Sequence, residues 1–233
     1  MAAEVLAPAS SSRTQLPQTV AAFVRELIIS GRARPGEFLR IEPIAESLGV
    51  SNTPVREGLL LLSSQGFVRL VPRRGFVVAP FTEQDIRDLF WAQAHLGGEL
   101  AARAAAKISN ETIARLEALN VQYAEAVRAG DHETYPRVGH LFHREINLAA
   151  GSNRLALLLG SIVRNLPNRF YASIEGQVGQ TQDDHPRLVE ALRARDADAV
   201  RSLMEAHLVK GADRLVETLR ARGVWDEADG TTP

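Results

Sequence analysis

Apolar residues recur at Val20, Phe23, Val24, Leu27 and Ile28, the spacing of one helix face. Gly31 stands where that helix can end. "PGEFLR" then reads as a turn and a short extended piece, and "EPIAESLG" as a short helix. Pro43 suits the first turn of the latter, and Gly49 its left-handed cap. Ser51 can cap a further helix with its hydroxyl, and Pro54, which lacks an N–H, is tolerated only near a helix start. "VREGLLLLSSQG" carries that helix to Gly66. "FVRLV" and "GFVVAP" follow as two β-rich runs joined by "PRRG", a hairpin with two arginines at its tip. Helix, strand, two helices across a tight turn and a hairpin make a winged helix-turn-helix.

From Thr82 the pattern is helical throughout. Thr82 is an N-cap, and Ile86, Leu89, Phe90, Leu96, Leu100, Ala101 and Ala104 form an apolar stripe. Further helices fit 110–129, 131–150, 153–172, 185–195 and 197–221, separated by Gly130, Gly151 and the Asp196 region. The expected fold is mainly α, an N-terminal winged helix-turn-helix followed by an all-α antiparallel bundle of about six helices. The expected boundaries are a disordered arm over 1–15, the winged domain over 16–80, the bundle over 81–222 and a flexible tail over 223–233.

Charge refines this division. Net charge is -1 over 233 residues, yet residues 11–80 hold nine Arg against five Glu and the remainder is acidic. A basic first third suits an anion-binding module. The chain has no cysteine, which excludes disulfides, thiolate metal sites and a Cys nucleophile. No run has the roughly 18 apolar residues of a membrane span. The start lacks a basic stretch followed by an apolar core, so no secretory signal is read and a cytoplasmic location is expected.

A recognition helix places its N-terminal side chains in the major groove. Ser51, Asn52 and Thr53 are short polar groups at that end, and Arg56 stands one turn in, able to reach a guanine edge or a phosphate. Arg73 and Arg74, with Gly75 allowing the turn, can meet a phosphate or the minor groove. With Arg40, these eight residues are the candidate contacts to double-stranded DNA.

The stretch "LGVSNTPVREGLLLLSSQGFVRLVPRRGFVV" resembles the DNA-binding domain of GntR-type bacterial regulators. Their usual pattern reads Leu-Gly-Val-Ser-Arg-Thr-Pro-Val-Arg-Glu-Ala-Leu and ends in an Arg-Gly wing. Asn52 stands at the usual Arg and Gly58 at the usual Ala. Family members use that Arg to read guanine, whereas Asn prefers adenine. The helical remainder is similar to the FCD effector domain of the FadR/VanR-like branch, so the resemblance covers roughly residues 16–221.

That resemblance implies a divalent metal held by an Asp and three His, and an effector carboxylate joining it. The family's Asp-x-x-Phe-His corresponds to "GHLFH", which makes His143 a ligand; His185 and His207 are the other two. Three imidazoles with an open position suit Zn²⁺ or a similar ion. The Asp position is Gly139, with His140 beside it as a substitute, and the expected site has no protein charge to neutralise the ion. Pro186 is expected to push His185 out of helical geometry, to an N-cap. Gln93 replaces an Arg that usually holds the effector, and Gln93, His140 and Arg169 are the candidate effector contacts. Gly97 and Gly98 make room either for a neighbouring helix or for a ligand.

The expected protein is a DNA-binding regulator, a homodimeric repressor of a pseudo-palindromic operator. Its effector is a small organic acid or a less anionic metabolite. One alternative is an effector-blind DNA binder with a vestigial pocket. A metal-dependent hydrolase is the other, but no general base or nucleophile is placed for it.

Overall fold

A computed structural model describes residues 11–163 and 177–225. The chain divides into two compact units, Met1–Phe81 and Thr82–Pro233. In the first, α1 (Ser11–Ile29), β1 (Phe38–Leu39), α2 (Ile41–Leu48), α3 (Asn52–Ser64), β2 (Val68–Val71) and β3 (Gly75–Val78) form the winged helix-turn-helix. The antiparallel sheet has the order β1-β3-β2. Helix α1 starts at Ser11, inside the expected arm, and runs through Pro17. Its face of Val20, Val24 and Ile28 is fully buried, along with Val55, Leu59 and Leu62 of α3. Gly49 caps α2 in the left-handed region at φ 63°, which turns the chain into α3.

Gly58 explains one departure from the family pattern. A Cβ there would lie 2.7 Å from Val20 Cγ1 and 2.8 Å from the Pro17 carbonyl oxygen. Helix α1 therefore lies closer to α3 than an alanine allows.

The second unit contains α4 (Glu83–Ala105), α5 (Asn110–Arg128), α6 (Thr134–Ala149), α7 (Asn153–Val163), α8 (Gln177–Arg193) and α9 (Ala197–Ala221). Thr82 starts α4 with a reciprocal capping box: its hydroxyl accepts from the Asp85 N–H, and its own N–H donates to the Asp85 carboxylate. Leu100, Leu116, Phe142, Ile146, Leu188, Leu192 and Val200 fill the core, and buried Ala94, Ala101, Ala104 and Ala105 let the neighbours of α4 close in. Gly97 and Gly98 are taken up by the neighbouring helix α9. A Cβ on Gly98 would meet Glu205 Cγ at 2.7 Å, and one on Gly97 would meet Leu208 Cδ1 at 3.1 Å. Ion pairs Glu83–Arg220, Arg87–Asp213 and Glu99–Arg201 line the same seam.

Helix α8 differs from expectation. It begins at Gln177 rather than near 185, and His185 and Pro186 lie inside it rather than at its start. Buried Thr181, Asp184, His185, Leu188, Val189 and Leu192 form one continuous helical face. The burial of that face outweighs the backbone bond that Pro186 cannot make. The described part of the helix expected over 153–172 ends at Val163; the rest of that span lies outside the described residues.

Gly58→Ala, although it restores the family's usual residue, should destabilise the protein by about 1–3 kcal/mol through overpacking. Combining it with Val20→Ala should recover part of the loss. Chemical denaturation of both variants checks this.

Candidate functional site

At the start of α3, Pro54 and Val55 are buried and anchor the helix, while Ser51, Asn52, Thr53 and Arg56 are exposed. Ser51 occupies the N-cap position in extended geometry, but its side chain makes no cap hydrogen bond, contrary to the sequence expectation. Its hydroxyl is therefore not spent on the helix. Arg40 is exposed at the N-cap position of α2.

The two wing arginines differ. The Arg74 N–H donates to Val71 O at 3.0 Å, closing a turn with Pro72 and Arg73 at its centre. The Arg74 guanidinium lies over the Phe38 ring at 4.6 Å, which ties the wing to β1. Arg73 takes φ 63°, at a turn position that ordinarily calls for glycine. Left-handed backbone costs a non-glycine residue about 1–2 kcal/mol. Among described non-glycine residues only Arg195 shares this region, and there the guanidinium donates to Ala105 O and Ile108 O at 3.1 and 3.0 Å. Arg73 is exposed and has no such anchor among the described residues. Gly75 follows at φ 101°.

In the helical unit, α6, α8 and α9 bring His143, His185 and His207 together, with one ligand nitrogen from each lying within 4.8 Å of the others. Ring centroids are 5.1 Å apart for His143–His185, 5.2 Å for His185–His207 and 5.3 Å for His143–His207. His185 stacks on Phe142 at 3.9 Å with an 8° interplanar angle, and its buried Nε2 has no partner among the described residues. Burial, and then the neighbouring imidazoles, hold His143 and His185 well below the ordinary histidine range. Both rings are neutral near pH 7, the form that ligates a metal.

His207 has a partner that the sequence reading missed. Its Nδ1 lies 3.1 Å from Asp184 Oδ2, and the same carboxylate oxygen accepts from Gln180 Nε2 at 3.0 Å. Gln180 Nε2 also donates to the His207 carbonyl oxygen at 3.3 Å. Asp184, Gln180 and His207 are all buried. The hydrogen bond from His207, aided by Gln180 and opposed by desolvation, lowers the Asp184 carboxyl to about 2. The cluster therefore has an anionic group behind one imidazole, which corrects the expectation of a site without protein charge. The clue was the helical spacing of Gln180, Asp184 and His185 on one face.

The imidazoles line a cavity of ≈ 680 Å³. Its walls are largely apolar, with Phe90, Leu157, Leu159, Val163, Met204 and Leu208 among them. Gln93 also lines it, and its buried Oε1 has no hydrogen-bond partner among the described residues. His140 lines the cavity from an exposed position, with its basicity lowered by desolvation, and is not one of the converging three. Gly139 is part of the wall, and a Cβ there would make ordinary contact with the Tyr123 ring at 3.5 Å. Arg169 lies outside the described residues.

An exposed recognition helix and wing on one unit, and a histidine-lined cavity in the other, define a ligand-responsive DNA-binding protein. Residues 16–78 match the gntR family of bacterial regulatory proteins, and residues 88–210, more than half of the chain, match the FCD domain. The chain belongs to the FCD-bearing GntR family of transcriptional regulators. It is 26% identical over 227 residues to the probable D-xylose utilization operon transcriptional repressor of Paenarthrobacter nicotinovorans, covering 94% of this chain and 97% of that one. It is 28% identical over 199 residues to the transcriptional repressor GlaR of Escherichia coli, covering 80% and 90%. The fold is similar to that of E. coli McbR/YncC, with a TM-score of 0.67 at 23% identity over 88% of this chain and 98% of that one. No helix among the described residues is long and apolar enough to cross a membrane.

Arg73→Gly should separate strain from function. Relief of the left-handed backbone should leave stability unchanged or raise it by up to about 1 kcal/mol. DNA affinity should fall, with a salt slope flatter by about one unit if a phosphate contact is lost. Thermal melts and DNA titrations at several salt concentrations read the two effects.

Proposed function

We propose that this regulator is a homodimeric repressor that leaves its operator when a small molecule enters the bundle cavity. The observation that carries this reading is the convergence of three histidines on an apolar cavity, in a unit covalently joined to a DNA-reading one. Two of the relatives, GlaR and the probable D-xylose utilization operon repressor, are named as repressors, which supports the sign of regulation. Homodimerisation is inferred from the two-fold symmetry of the operators such helices read.

In this reading Ser51 and Thr53 approach phosphates, Asn52 and Arg56 reach base edges, and Arg40, Arg73 and Arg74 meet the backbone on either side. Gly75 permits the turn that presents the wing.

His143, His185 and His207 fit a divalent metal. Two are held neutral, one is oriented by a carboxylate, and His185 Nε2 is buried without a partner among the described residues. These three imidazoles would hold the ion and leave a coordination position open to the cavity. Bound there, a metal supplies a Lewis-acidic centre for an effector oxygen. Gln93 Oε1 offers the effector an acceptor, and the apolar wall takes up its hydrocarbon body. Gln93 lacks the charge of the family's usual Arg, which favours a less anionic effector, and Arg144 is the cation that remains on the cavity wall among the described residues.

Arg56→Ala should weaken specific operator binding by about 1–3 kcal/mol. Asn52→Arg should shift the selected motif toward guanine at one symmetric position per half-site, which binding-site selection would reveal. Identical motifs would show that Asn52 reads no base. Gly139→Asp adds a carboxylate one helical turn before His143, where its Cβ would make only ordinary contact with the Tyr123 ring. It should tighten Zn²⁺ binding by about tenfold, or ~1.4 kcal/mol, in calorimetric titration. His143→Ala should abolish that binding.

A further inference from the structure

We propose that Asp184 supplies the anionic charge that Gly139 cannot, and delivers it through His207. This rests on the metal reading of the three-histidine cluster. The carboxylate does not face the cluster as a ligand. Its Oδ2 is engaged by His207 Nδ1 at 3.1 Å and by Gln180 Nε2 at 3.0 Å.

That arrangement has two consequences. An ionised carboxylate only accepts, so the proton in this contact sits on His207 Nδ1 and the Nε2 lone pair is left for a metal. The hydrogen bond also raises the electron-donating power of the imidazole, the outer-shell role a carboxylate plays behind a metal-bound histidine.

Gln180 holds the carboxylate in place. Its amide donates both to Asp184 and to the His207 carbonyl oxygen, tying α8 to the backbone of α9 where the ligand sits. Asp184 is 6% exposed and His207 3%, so little water screens the pair. Arg187, 3.9 Å from the other carboxylate oxygen, is largely exposed and leaves the charge to act inward. Asp184 is a positioning residue: it acts through His207 and touches no effector.

The test uses the full chain and Zn²⁺ alone, followed by calorimetric titration and by the zinc-induced rise in melting temperature. Asp184→Asn keeps the shape and removes the charge. It should cost ten- to a hundredfold in Zn²⁺ affinity, the range typical of outer-shell partners, while the melting temperature in chelator barely changes. Gly139→Asp in the Asp184→Asn background should recover at least about tenfold of that loss, because a carboxylate then reaches the ion from the other side. A purely structural Asp184 would instead lower the melting temperature in chelator.

Unchanged affinity in Asp184→Asn overturns the assignment. So does a loss that Gly139→Asp fails to repair although Gly139→Asp alone tightens binding. Should Asp184→Asn not fold, Gln180→Ala takes its place, with a severalfold loss expected and no loss overturning the proposal. A wild type that takes up no Zn²⁺ overturns the metal reading and this one with it, whereas a binding wild type with an equally binding Asp184→Asn overturns this one alone.

Discussion

The helical unit depends on how closely α4 and α9 approach each other. A Cβ on Gly97 or Gly98 would have to displace the Leu208 or Glu205 side chain on the α9 side. Alanines on the same helix extend the close fit toward the core. The contact sets the height at which Phe90 and Gln93 on one helix face Met204, His207 and Leu208 on the other, around a shared cavity. A larger residue at Gly97 would press on Leu208 and Met204, both of which line the cavity, so the packing and the shape of the cavity are one problem.

Much of this was legible in the sequence, for physical reasons. Period and punctuation marked the winged helix-turn-helix, because Gly49, Pro54 and Gly75 are tied to particular backbone geometries. The three histidines were found through likeness to a family, and the structure brings their nitrogens within reach of one another. The start of α8 was misread because a local rule was weighed alone. A proline disfavours helix before it, but here one continuous face, polar before the proline and apolar after it, is buried across it, and tertiary burial outweighs one lost backbone bond. Asp184 was missed for a related reason. A carboxylate beside a histidine in sequence carries no sign that it serves a different histidine, 23 residues away on another helix.

The DNA-reading unit concentrates its irregular features where it is most exposed. Ser51 leaves its capping duty unfilled, and Arg73 holds a backbone conformation that glycine would adopt freely. Beneath them Val55, Leu59 and Leu62 are wholly buried, and α1 closes over Gly58. Strain and unspent polar groups sit on a rigid base, a pattern common to surfaces shaped for recognition.

The absence of a side chain at Gly139 bears on which ions the cluster accepts. Hard cations such as Mg²⁺ and Ca²⁺ demand oxygen donors, and three ring nitrogens offer them none. With the carboxylate withdrawn behind His207, the three donors that converge are all ring nitrogens. Such a set favours the borderline transition ions at the upper end of the divalent series. If the cluster holds a metal as proposed, the most abundant divalent ions of the cell are disfavoured by donor type. An effector that needs the metal would then be read only where a scarcer ion is also present, and the cavity of the proposed regulator would act as a coincidence detector for two small species.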